Sequence, residues 1–436
     1  MKPILIRGGR VIDPANQIDT AMDLLLENGR VKQVAQPGSI KPTGRKVVDA
    51  AGMIVAPGLV DIHVHLRQPG QEHKETIATG TAAAAAGGFT SVCCMPNTIP
   101  VNDSPEITRW MLAKERGAIV NVFPIGAATV GSNGEQLTDF AKLKGAGTVA
   151  VTDDGKPILN DDIMEKALRS AAKLGLPVIQ HAEDTRLTGE CSMNLGATSF
   201  RLGLRGMPAE AESGIVERDI ALARKTGGHL HVAHISTRKA LSAVRRAKKD
   251  GVNVTSEVTP HHFTLLDKHV GGYNTNFKMN PPLRCEDDRA AMIRGLLDGT
   301  IDAIATDHAP HALHEKQQEF DRAPMGITGL ETALPIALQV LHRHHKMSLS
   351  RVIQLLSANP ARLMGLERRG TLSPGAYADV AIIDPGQPWT FYAQQSKSKS
   401  KNTPFDGWEF VGAAVMTIVA GEIVFMAKNA KPKAAR

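Results

Sequence analysis

The chain has 436 residues, 42% hydrophobic and 22% charged, with a formal net charge of +7, enough for one large α/β domain with an appendage or for two to three ordinary domains. Only 4% of residues are aromatic, and much of the positive excess sits at Lys397, Lys399, Lys401 and in the tail from Lys428 to Arg436, which argues against a base-stacking nucleic-acid surface. Four cysteines, two of them adjacent (Cys93, Cys94) and none in a Cys-x-x-Cys pair, exclude a disulfide framework and a zinc ribbon and fit a reducing, cytoplasmic setting.

The first stretch, Met1 to Arg7, has too short an apolar core for a signal peptide, and no run reaches the roughly 18 apolar residues of a membrane span, so a soluble protein is expected. Residues 1–55 alternate short apolar runs with turn signals: Leu5-Ile6-Arg7-Gly8-Gly9, then Leu24-Leu25-Leu26-Glu27-Asn28-Gly29-Arg30-Val31 with its hairpin dipeptide. Residues from 368 onward read the same way at Ala378 to Ile383 and Val415 to Val424. Chain ends often lie close together, so 1–55 plus 368–436 are expected to form one small β-sandwich domain, with 56–367 inserted into it.

That middle alternates strand-like and helix-like segments. Strands are expected at 53–65, 89–96, 118–125, 147–153, 176–182, 229–236, 252–260 and 301–307, with helices such as Asp161 to Leu174 and Thr237 to Asp250 between them. Eight βα units imply a closed (β/α)8 TIM-type barrel. The competing open, doubly wound sheet lacks its Gly-x-Gly-x-x-Gly after the first strand.

Active sites of such barrels lie at the carboxyl ends of the strands. Those ends carry His63 and His65, Asn97, Asp154, His181, His234, and Asp307 with His308 and His311. His63 and His65 share one face of a strand. Four imidazoles and two carboxylates suit zinc, and six ligands are too many for one tetrahedral ion with an open position. We therefore assign two ions: His63, His65 and Asp307 on one, His181 and His234 on the other, Asp154 bridging. Such ions would make a hydroxide nucleophile available near neutral pH.

Each residue also has a purely structural reading. Periodicity does not separate Asp154 from its neighbour Asp153, and His181 alone could be a core histidine. Of His229, His231 and His234, only one or two can be ligands, and His231 shares no strand face with His234. His261 and His262 read as support, His342, His344 and His345 as solvated, and Cys93 and Cys94 as packing.

Together, His63-Val64-His65-Leu66-Arg67-Gln68-Pro69-Gly70, Met95-Pro96-Asn97-Thr98, Thr152-Asp153-Asp154-Gly155, Thr259-Pro260-His261-His262, Asn276 to Arg284 and Ala305-Thr306-Asp307-His308-Ala309-Pro310-His311 resemble dihydroorotase of the bacterial class I type, within the amidohydrolase superfamily. The likeness runs on through Lys401-Asn402-Thr403-Pro404-Phe405. It implies reversible cyclisation of N-carbamoyl-L-aspartate to L-dihydroorotate, the third step of de novo pyrimidine synthesis. It further implies two zinc ions on His63, His65, Asp154, His181, His234 and Asp307, which favours Asp154 over Asp153. By the same likeness His65, Leu66, Arg67, Asn97, Asn280, His311, Met325 and Gly326 contact the substrate, and Asp307 carries the proton. A homodimer and a complex with aspartate transcarbamoylase are the implied assemblies, with no nucleic-acid or membrane partner.

Three departures stand out. Many superfamily members bridge their metals with a carboxylated lysine, whereas the lysine nearest the fourth strand end is Lys156, two residues past Asp154. Gln68 stands where these enzymes often have Glu. The repeat Ser396-Lys397-Ser398-Lys399-Ser400-Lys401 has no functional account at this level. The rival readings are a hydantoinase, dihydropyrimidinase or allantoinase, whose substrates lack the same carboxylate and so leave Arg67 and Asn97 unexplained, and a non-catalytic partner of aspartate transcarbamoylase, which would not need all six ligands.

Overall fold

The computed structural model describes residues 2–428; the basic tail from 429 on, with the last part of the 368–436 segment, lies outside them. The chain changes sheets at Gly58. Where one strand was expected over 53–65 there are two: Ile54–Pro57 pairs with Ile4–Asp13 and Val380–Thr390, whereas Leu59–Val64 pairs in parallel with Phe89–Cys94. A Cβ at Gly58 would lie 2.1 Å from Thr90 Oγ1, so the crossing is open only to glycine. Both halves are apolar and buried, which is why periodicity alone joins them.

The first sheet draws on both ends of the chain. Its strands run in the order Glu422–Met426, Glu409–Val419, Val380–Thr390, Ile54–Pro57, Ile4–Asp13, Ile18–Glu27, Arg30–Ala35, with Lys46–Asp49 also paired to Ile4–Asp13. The Asn28-Gly29 hairpin has both residues at positive φ, 52° and 72°, the turn that matches strand twist. Ile4, Ile6, Leu24 and Leu26 share one buried cluster with Val380, Ile382, Met416 and Ile418, which closes this sheet around a core of its own as a β-sandwich.

The second body is a parallel barrel. Leu59–Val64, Phe89–Cys94 and Asn121–Pro124 form one run, and Gly126–Ala127, Val151–Thr152, Val178–Gln180, Leu230–Val232, Val254–Val258 and Ala303–Ile304 form the other. The runs meet where Asn121–Pro124 continues into Gly126–Ala127, and again at a parallel bridge between Val64 and His308, whose carbonyl accepts from His65 N at 2.8 Å. Helices cover the outside. Asp161–Leu174 starts on the Asn160 side chain, stops at left-handed Gly175 and buries Met164, Ala167, Leu168 and Ala171, one face at helical spacing. Arg238–Lys249 starts on Thr237. Several strands are shorter than expected because the chain leaves the ladder to enter the site, and Arg67, His234 and Asp307 each take positive φ (58°, 29° and 47°) just there. Cys93 and Cys94 are buried, and burial pushes the Cys94 thiol up to about 12, which suits packing rather than chemistry.

Candidate active site

The carboxyl ends of the barrel strands bring His63, His65, Asp154, His181, His234 and Asp307 into one buried cluster, none more than 7% exposed. Asp154 lies in the middle of it. Its Oδ1 is 3.5 Å from His63 Nε2 and 3.8 Å from both His181 Nδ1 and His234 Nε2, and its Oδ2 is 3.6 Å from His65 Nε2. Asp307 Oδ1 is 2.9 Å from His65 Nε2 and 3.6 Å from His63 Nε2. Nitrogen and oxygen donors about 2.0–2.1 Å from a tetrahedral zinc ion sit roughly 3.3–3.4 Å apart, so most of these separations suit ligands better than hydrogen bonds. His63 with His65 and Asp307, and His63 with Asp154 and His234, are the groups whose donor atoms converge. Among the described residues His63 Nε2 and Asp154 Oδ1 find no hydrogen-bond partner and are buried, a costly arrangement unless a cation satisfies them. The cluster fits a metal.

Two glutamates that sequence reasoning did not single out orient these histidines. Glu257 Oε1 lies 2.7 Å from His63 Nδ1, and its Oε2 lies 3.2 Å from His231 Nε2, so His231 supports the cluster from behind. Glu183 Oε2 lies 2.8 Å from His181 Nε2 and accepts from Asn280 Nδ2 at 2.7 Å. Burial would raise the Glu183 carboxyl, but His181, Thr188 and Asn280 outweigh it and hold it ionised, leaving His181 Nδ1 turned inward, 2.9 Å from His234 Nε2 and 3.8 Å from Asp154 Oδ1. The Asp307 carboxyl likewise stays low despite burial, because His65 hydrogen-bonds it and His63 and His234 lie near. Asp153 turns away and accepts from Thr129 N at 2.9 Å. His262 is fixed between Thr259 Oγ1 and Pro281 O and holds the loop that carries Asn280. His344 and His345 are exposed, but His342 is half-buried against Met347 O.

A second group flanks the cluster. Arg67, 9% exposed, donates from Nε to Pro310 O at 3.1 Å and lies 3.4 Å from His311 Nε2, which is itself 2.8 Å from Met325 O. Asn97 joins the two regions, with Oδ1 2.9 Å from His65 Nδ1 and Nδ2 donating to Asp154 Oδ2 at 3.3 Å. Gly326 completes the wall at φ +132°, where a Cβ would come within 2.7 Å of Ala309 Cβ. Asn280 lies on the His181 side, and the Leu66 side chain packs where a Cβ on Gly80 would be 2.5 Å away, toward the helix Ile77–Ala86.

A family model described as Dihydro-orotase-like matches residues 52–240. Full-length relatives named dihydroorotase are 51% identical over 423 residues in Geobacter metallireducens, 52% over 423 in Pelobacter propionicus and 53% over 422 in Geobacter sulfurreducens, each alignment covering 97% of this chain and 99% of the relative. The chain belongs to the dihydroorotase family. Among solved structures, an L-hydantoinase (dihydropyrimidinase) from Arthrobacter aurescens superposes with a TM-score of 0.86 at 24% identity over 98% of this chain and 96% of that one. A dihydropyrimidinase from Brevibacillus agri gives 0.84 at 23% over 98% and 95%. At that identity the likeness bears on the fold alone, a parallel barrel with a β-sandwich.

For a dihydroorotase-family chain the departures seen in the sequence are accommodated. Lys156 is exposed, and the centre of the cluster is held by the Asp154 carboxylate. Gln68 Oε1 accepts from Ile77 N at 3.0 Å and serves the first turn of Ile77–Ala86, a task that needs an acceptor but no charge. Of the residues overlooked, Glu183 could have been suspected two positions past His181. Glu257 carried no local signal, since its meaning depends on which strand face meets His63.

Proposed function

We propose that this chain is a zinc-dependent dihydroorotase that interconverts L-dihydroorotate and N-carbamoyl-L-aspartate, the third step of pyrimidine synthesis. The full-length identity to dihydroorotases carries the reading. His63, His65, Asp154, His181, His234 and Asp307 would hold two zinc ions; the donor atoms of all but His181 fall in the two converging groups, and His181 Nδ1 lies 3.8 Å from Asp154 Oδ1. Zinc bound there would supply a hydroxide nucleophile at neutral pH and polarise the ring amide carbonyl.

The chain's own residues supply the rest. Arg67 offers a two-pronged donor for the substrate carboxylate, Asn97 and His311 complete that grip, and the 325–326 main chain closes one side. Asp307, kept ionised beside His65, accepts the nucleophile's proton and returns it to the ring nitrogen as the C–N bond breaks. In cyclisation the same carboxylate removes the proton from the carbamoyl nitrogen. Glu183 and Glu257 keep His181 and His63 turned inward throughout.

The test is hydrolysis of L-dihydroorotate beside dihydrouracil, hydantoin and allantoin, before and after chelation and zinc restoration. Activity confined to dihydroorotate and returned by zinc supports the reading. Activity on the uncharged rings alone moves the chain to the hydantoinase side, and silence on all four favours the non-catalytic reading. No helix among the described residues is long and apolar enough to cross a membrane. The homodimer and the transcarbamoylase contact are carried by family resemblance; a mass measurement that finds only a homodimer with the transcarbamoylase present counts against the second.

A further inference from the structure

The Ser-Lys repeat acquires a role from its period. Ser398 and Ser400 are buried while Lys397 and Lys399 are exposed, the alternation of an extended segment with one face inward. Asn402 is the next inward position and is 4% exposed. The inward hydroxyls fasten this strap to the catalytic face. Ser396 Oγ donates to Glu331, Ser398 Oγ to the buried Glu75, and Ser400 Oγ to Lys74 O at 2.6 Å. Glu75 also accepts from Lys399 N at 3.0 Å and lies 3.3 Å from His308 Nε2, so one carboxylate joins the strap to the residue after Asp307.

Asn402 spends every hydrogen-bonding group of its side chain on the wall that flanks the metal cluster. Its Oδ1 accepts from His311 N at 3.0 Å, and its Nδ2 donates to Ala309 O and to Gly326 O, both at 3.0 Å. Its carbonyl accepts from Thr328 N at 2.8 Å. One N–H and two C=O groups converge on it, a set that only an amide satisfies; an aspartate would set an anion against two carbonyl oxygens. Lys316 Nζ reaches the same Gly326 carbonyl at 3.2 Å from the other side. The packing is close as well, since a Cβ on Gly326 would be 3.2 Å from His311 Nε2. Asn402 thus fixes the spacing between the segment bearing His311 and the segment bearing Gly326.

We propose that Asn402, carried by the Ser-Lys strap, is a positioning residue for recognition of the substrate carboxylate: it holds His311 at the distance from the 325–326 main chain that lets the imidazole close on the group Arg67 binds. The inference rests on the carboxylate grip assigned under the proposed function. It predicts that losing Asn402 weakens substrate capture and leaves the proton transfer at Asp307 largely alone.

The experiment compares Asn402→Ala and Asn402→Asp with Arg67→Gln and the native enzyme, all zinc-loaded, reading KM and kcat for L-dihydroorotate, zinc content and thermal midpoint. Both Asn402 variants should raise KM at least about tenfold while kcat falls less than about threefold and zinc content is unchanged, as expected when a binding wall is misplaced. If Asn402→Ala does not accumulate as folded protein, Asn402→Asp carries the test, because it keeps the acceptor for His311 N. A native KM in either folded variant, or kcat and zinc falling together with stability, overturns the inference. Arg67→Gln separates the two levels: raised KM there with native KM at the Asn402 variants defeats this inference alone, whereas native KM at Arg67→Gln defeats the carboxylate grip and the inference with it.

Discussion

The two sides of the site are built differently. The proposed metal-ligand side takes His63, Asp154, His181, His234 and Asp307 from strand ends, where barrel geometry aims side chains at the axis and single glutamates set the imidazoles. The proposed carboxylate side takes Arg67, Asn97 and His311 from loops, with Met325 and Gly326 beside them, and these are placed by one another and by the strap at 396–402. Strands fix chemistry through the fold itself. Loops need struts from distant sequence, so the carboxylate side should be the easier to shift without harming the metal.

The comparison can be broken in order of size. Asp307→Asn should keep the fold and the carboxylate grip yet lower turnover in both directions by about 10²–10⁴-fold, the usual worth of a positioned proton carrier. Substantial retained activity would remove Asp307 from that role. Arg67→Gln should act on the other side, weakening dihydroorotate binding by roughly 2–5 kcal/mol if the pair is buried in the complex, with zinc content unchanged. An unchanged KM would place the carboxylate elsewhere. Glu183→Ala should lower metal affinity by about 10–100-fold in a competition with a chromophoric chelator, because His181 loses the partner that fixes its ring. Equal affinity would mean that packing alone orients His181. Gln68→Ala removes the acceptor for Ile77 N and should cost about 1 kcal/mol of unfolding free energy with metal affinity native; a change in metal affinity would tie this helix start to the metal side.

The same division explains what was readable in the sequence. His63, His65, His181, His234 and Asp307 were legible as candidates because barrels put function at one end of each strand, whereas the choice of Asp154 over Asp153 came from the family likeness and not from the period. The helix at Asp161–Leu174 was legible from its helical spacing, and the structure adds its Asn160 start and Gly175 stop. The switch at Gly58 was not, since two buried apolar strands in different sheets look like one. Glu257 and Asn402 were hidden for a further reason: each acts on a residue 194 or 91 positions away, across contacts that no local pattern records. The Ser-Lys repeat did carry a period of two, but serine in place of an apolar residue at the inward positions disguised it as a solvated basic run.

On the proposed function one substrate lies across both sides, its ring amide at the Asp154 cluster and its carboxylate at Arg67. The most direct measurement is a crystal structure of the zinc-loaded Asp307→Asn variant with L-dihydroorotate. The carboxylate is expected on Arg67, Asn97 and His311, with the ring amide turned toward Asp154. A ring bound the other way round, or a carboxylate that touches none of the three, would contradict that arrangement.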